Sequence, residues 1–222
     1  MMKLIRLEWK KNNITKYVRS AFIMSMIFLL LLLSVASELE KEKYMVYAGA
    51  ELFANMSFII FTSVMLASFI VSSYKNKTIH VMFSYPISRK KILLSQMSAV
   101  WIFNFIALVL TKIFHYSMLS MTKKYTHITA ASIPLGNSTF YIGIIINSAV
   151  MVSISFIALL IGLRRKSSKA TIIGGVVIAC LTQGNVGAYT LTDNILFKVT
   201  LLIAASIAVF LSLYKLETRD VL

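Results

Sequence analysis

Cysteine occurs once in the 222 residues, at Cys180, so the chain can form no internal disulfide, no cysteine-based metal site and no redox pair. Acidic residues number 8 against 23 Lys and Arg. All eight acids fall at the edges of the long apolar stretches or outside them, and Glu51, the nearest to one, reads as a solvated interfacial carboxylate. The mid-membrane charge on which ion-coupled carriers depend is therefore not expected. The eight glycines include no pair spaced as GxxxxGK[ST] requires, which excludes a phosphate loop for ATP. His80, His115 and His127 are scattered, with no HExxH pattern or carboxylate pair beside them, so neither a metal site nor a catalytic residue is expected. The two prolines, Pro86 and Pro134, lie in connections, where they break no helix.

Apolar residues are what the chain has in excess: 58% hydrophobic against 14% charged, with a mean hydropathy of +0.80. A water-soluble fold of this length could not enclose that much apolar surface. Six stretches are long enough to cross a bilayer: Ala21–Ser37, Leu52–Ser73, Ile92–Thr111, Phe140–Leu163, Ala170–Thr190 and Ile195–Tyr214. The expectation is an all-α membrane protein of six transmembrane helices in a single domain, 1–222. It divides into an interfacial helix at 1–20, a bundle at 21–214 and a short tail at 215–222. Phe22–Leu33 followed by Val35-Ala36-Ser37 also has the look of a signal peptide. The long polar lead with Glu8 and Trp9, and the five spans that follow, favour a first span instead.

Charge gives the orientation. The amino-terminal 20 residues, the 75–91 connection, the 164–169 turn and the tail together carry 17 of the 23 Lys and Arg. Lys41, Lys43, Lys112, Lys123, Lys124 and Lys198 fall on the other side, with most of the acids. By the positive-inside rule both termini are cytoplasmic, as an even number of spans requires. The net charge of +15 then needs no nucleic-acid partner.

Leu4, Leu7, Ile14 and Val18 share one arc at helical period, interrupted only by Lys11. This reads as an amphipathic amino-terminal helix lying on the membrane, its lysines facing anionic lipid, or else as a polar lead that only sets orientation. The connection 74–91 holds an apolar patch of Ile79, Val81, Met82, Phe83 and Tyr85 between two basic clusters, turns at Pro86, and has Ser88 placed to cap the third span. It suits either a dock for a cytoplasmic protein or an interfacial helix. Asn55, Asn104 and Asn147 lie within spans, where each can line a substrate route or bond between helices. Gly174-Gly175 with Ala170 and Ala179 makes a small-residue surface for close helix approach. Without an energy source of its own, the chain needs a partner if it moves anything uphill.

Lys77-Thr78, Met82 to Ser84, Tyr85-Pro86-Ile87-Ser88-Arg89 and Lys91-Ile92-Leu93-Leu94 resemble the cytoplasmic loop of type-2 permeases of ATP-binding-cassette (ABC) exporters. The amphipathic amino terminus and the six-span layout match that family as well. The motif covers about 17 residues, and it departs from the family where Lys75 and Lys77 stand in place of an acidic residue before the Thr. The resemblance implies a permease subunit paired with a second permease, identical or related, and with an ATP-binding subunit that carries ATP and Mg. Lys77, Thr78, Met82, Phe83, Tyr85, Pro86, Arg89 and Lys90 would form the coupling loop. The small size is similar to that of bacterial exporters of antimicrobial or cytolytic peptides. The expected function is export of hydrophobic or amphipathic peptides from the cell membrane. A non-transporting immunity or scaffold protein is the alternative, as is a permease for lipids or drugs.

Overall fold

The structure, a computed structural model, describes residues 1–38, 43–75, 89–122, 137–186, 189–190 and 195–218. Apart from one two-residue antiparallel pairing, Asn185–Val186 (β1) with Tyr189–Thr190 (β2), the ordered elements among these residues are helices. Five of the helices are long and apolar enough to cross a membrane.

The amino-terminal segment is two helices, not the single one expected. Helix α1, Met2–Lys11, carries Lys10 and Lys11 in its last turn, where positive charge suits the helix dipole. Its end is capped by Asn12, whose Nδ2 donates to Glu8 O at 3.0 Å. Asn13 then takes φ 49°, a left-handed conformation that asparagine tolerates better than most residues. Helix α2, Ile14–Glu38, starts there and includes the first expected span. On α1 the buried residues are Ile5 and Glu8, while Leu7 is exposed, so the packed face is rotated from the predicted apolar arc.

Helix α3, Lys43–Leu66, continues through a π-helical turn, Ala67–Val71, into α4, Ser72–Lys75. Helix α5, Arg89–Thr122, contains neither proline nor glycine in its 34 residues and runs unbroken for about 51 Å. It extends well past the predicted end at Thr111, so Lys112 and Tyr116 lie within a helix and not in a connection. Helix α6, Ser138–Ile154, and α7, Ile157–Arg165, form one span interrupted at Ser155–Phe156, where Ser155 Oγ donates back to Met151 O at 3.0 Å. The predicted span Ala170–Thr190 is cut short: α8, Ser168–Gln183, has 16 residues, about 24 Å, against a hydrocarbon core of about 30 Å. Its last residues are replaced by the β1–β2 turn. Helix α9, Ile195–Thr218, is the last.

Helix α3 is the hub. Its span is 78% buried against 17% for α9, so α3 is surrounded by helices and α9 lies at the periphery. Phe58, Met65, Phe69, Leu108, Met151 and Leu159 form the main core. Two glycines permit the tightest crossings. A Cβ on Gly175 of α8 would collide with the Ser63 side chain of α3, and one on Gly162 of α7 would collide with Thr171 of α8. This confirms the small-residue surface expected at Gly174-Gly175.

Candidate functional site: a polar core around Lys112

The buried side of α5 carries four large polar side chains, Gln96, Asn104, Lys112 and His115, among apolar neighbours such as Leu93, Val100 and Leu108. Lys112 is the most consequential of them. Its side chain is 1% exposed, and Nζ lies 3.0 Å from Asn147 Oδ1 of α6 and 3.4 Å from Glu51 Oε1 of α3. Three helices are thus tied at one depth by a charged group. An ammonium in a membrane-spanning segment is costly unless paired, and such groups mark functional sites by default. This overturns two expectations: Lys112 is not an external-loop lysine, and Glu51, though 31% exposed, is not merely solvated.

The groups nearby are incompletely satisfied. Asn55, one helical turn along α3 from Glu51, is buried with an unpartnered Oδ1, as is Ser148 Oγ next to Asn147. Asn104 Nδ2 donates to Val100 O of its own helix at 2.8 Å and lies 3.2 Å from Met65 Sδ, while its Oδ1 has no partner. Of the three asparagines expected along a route, the structure therefore joins Asn147 to the ion pair and sets Asn55 beside it on α3. Asn104 stands two turns away on α5. Unpaired buried oxygens are rare in folded proteins, and these three, two of them on residues beside the ion-pair partners, leave acceptors open.

On its other flank, α5 meets α2 through His115. The ring Nε2 lies 3.1 Å from Ser25 O and 3.3 Å from Ser25 Oγ. A carbonyl only accepts, so Nε2 donates to it, and Nδ1 has no partner. Near the opposite end of α5, Gln96 Nε2 donates to Glu8 Oε1 at 3.3 Å and Trp9 Nε1 donates to Ala99 O at 3.1 Å, which seats α1 against the first turns of α5. Tyr17 of α2 bonds Ser68 in the π-helical turn at 2.7 Å.

Of the expected coupling loop, Arg89 and Lys90 open α5, with Lys90 exposed. Lys77, Thr78, Met82, Phe83, Tyr85 and Pro86 lie outside the described residues. Among the described residues no group of His, Cys, Asp and Glu is arranged to hold a metal.

The chain is similar to the uncharacterized protein YcbO of Bacillus subtilis (strain 168), at 27% identity over 237 residues, an alignment covering 99% of this chain and 98% of that protein. No family model matches the chain, and no solved structure does.

Proposed function

We propose that this chain is the transmembrane permease subunit of an ABC exporter for hydrophobic or amphipathic peptides, working with a second permease and a separate ATP-binding subunit. In this reading α8 is the sixth span, both termini are cytoplasmic, and the chain resides in the cell membrane. The observation that carries it is the set of buried polar side chains on α5. A bundle of apolar helices buries Asn104 and Lys112, the latter bonded to the half-buried Asn147, and leaves buried acceptors open, as a path for peptide groups requires. The chain has no phosphate loop, so the energy must enter from a partner. The 75–91 connection, joined directly to α5 and its buried polar side chains, is the point of entry that its basic and apolar composition favours.

One observation favours the rival reading, an immunity or scaffold protein. The Glu51–Lys112–Asn147 contact is closed and would brace a bundle that never opens. Purification of the tagged chain from its native membrane in mild detergent separates the two. A near-stoichiometric ATPase that is lost on charge reversal of Arg89, Lys90 and Lys91 is the expected result. Recovery of the chain alone, from membranes that keep a control complex intact, would establish the rival.

A further inference from the structure

A groove of about 600 Å³ runs between α2 and α5 and is closed at one end by Trp9 of α1. Ala21 and Ala107 leave the room for it among larger neighbours such as Phe22, Phe103 and Phe114. Its only polar side chains besides the Trp9 indole are Ser25 and Thr111. The Trp9 N–H is spent on Ala99 O and Ser25 Oγ already meets His115. Ordered water, which needs two to four polar partners, is poorly served there. The rim residues Val18, Phe22, Ile106 and Leu110 are 50–61% exposed, so the groove opens sideways, away from the bundle.

We propose that this groove binds one acyl chain of an anionic phospholipid whose headgroup sits at the α1–α2 elbow. Length supports the chain. From Ile14 to Ser25 on α2, and from Phe103 to Phe114 on α5, the lining covers about 16 Å. One leaflet of hydrocarbon is about 15 Å deep. Charge supports the headgroup. Lys10 and Lys11 follow Trp9, Lys16 and Arg19 follow Ile14, and all four are exposed. The one acid nearby, Glu8, is buried and engaged by Gln96, Asn12 and Lys11. The site holds whether or not the chain is a permease.

Of the two tryptophans, Trp9 lines the groove and Trp101 does not, so Trp101→Phe leaves a reporter at the site. The full-length Trp101→Phe protein is reconstituted in phosphatidylcholine vesicles with rising fractions of acyl-brominated phosphatidylglycerol, or of acyl-brominated phosphatidylcholine, which quench tryptophan on contact. Half-maximal quenching of Trp9 is expected at about tenfold lower mole fraction of the anionic lipid. Lys10→Gln/Lys16→Gln/Arg19→Gln should reduce that preference to about twofold or less, and Ala107→Phe, which fills the groove, should remove the saturable phase. The milder Ala107→Leu, with wild-type helicity, serves if Ala107→Phe does not insert. Equal curves for the two lipids, or a preference untouched by the filled groove, would overturn the site. So would relief of quenching by an added amphipathic peptide where excess phosphatidylglycerol gives none, since that would give the groove to peptide.

Discussion

Lys112 shows at the scale of one residue what hydropathy cannot decide. A window over the sequence drops where a charge appears, so the third span was expected to end at Thr111 and Lys112 to face water. Burial is conferred by Glu51 and Asn147, on two other helices, and no local pattern announces them. The asparagines within spans were legible as buried amides, because an amide hardly interrupts an apolar run, but which of them meets the ion pair was not. The pair makes a definite energetic prediction. Glu51→Gln leaves a buried ammonium with only a neutral partner. Breaking buried pairs costs about 3–5 kcal/mol, and because the Glu51 side chain is 31% exposed the loss should lie nearer about 2–3 kcal/mol. Adding Lys112→Met to Glu51→Gln removes the stranded charge and should recover at least half. Unfolding of the reconstituted chain by sodium dodecyl sulfate in mixed micelles gives the four corners of that cycle, and simple additivity would show that the two side chains do not interact. Ser25→Ala is a contrasting case. His115 keeps the Ser25 carbonyl at 3.1 Å, so the same assay should register less than about 0.5 kcal/mol.

At the scale of elements, the approximate positions of five of the six expected spans were readable because bilayer crossing imposes both length and composition. Helix ends were less readable, since they depend on what packs beside them. Helix α5 runs on because no proline or glycine stops it and its polar residues find partners inside. Helix α8 stops at Gln183, and Gly184-Asn185 leads into the β1–β2 turn, seven residues short of the predicted end at Thr190. The small-residue face of α8 was legible, and its consequence is testable. Gly175→Ala puts a methyl group into Ser63 and should destabilise by about 1–3 kcal/mol, with Ser63→Gly in the same chain restoring most of the loss. Gly143 of α6 has nothing within 4 Å of its would-be Cβ, so Gly143→Ala should be neutral or stabilise by up to about 1 kcal/mol. If the two glycine variants behave alike, the α3–α8 crossing is not as close as the structure has it. The elbow between α1 and α2 rests on Asn13. Asn13→Gly should keep it, whereas Asn13→Val forces a β-branched residue to φ 49° and should cost about 1–2 kcal/mol, enough to release Trp9 from Ala99 and raise its solvent quenching.

The whole molecule turns on whether α8 crosses. Lys and Arg cluster on alternate connections, which argues that it does. Helix length argues that 16 residues reach across only if the β1–β2 turn and its neighbours shield the remaining backbone, since non-helical polar groups survive at membrane depth only against protein or water. Gln183, at the end of α8, lies 3.9 Å from Met151 Sδ near the middle of the Ser138–Arg165 span, so α8 itself ends against protein. In the proposed layout, which follows the charge argument, the carboxyl-terminal end of α9 would lie on the same side as α1. In a Cys180→Ser background, single cysteines at Met2, Asn137, Arg165 and Thr218 report this through a membrane-impermeant maleimide. Asn137→Cys should label in intact cells, and the other three only after the membrane is opened. Labelling of Thr218→Cys together with Asn137→Cys in intact cells would instead make α8 a helix that enters and leaves on one side. That outcome would give the chain five spans, separate its termini, and remove the two-sided layout on which the permease reading depends.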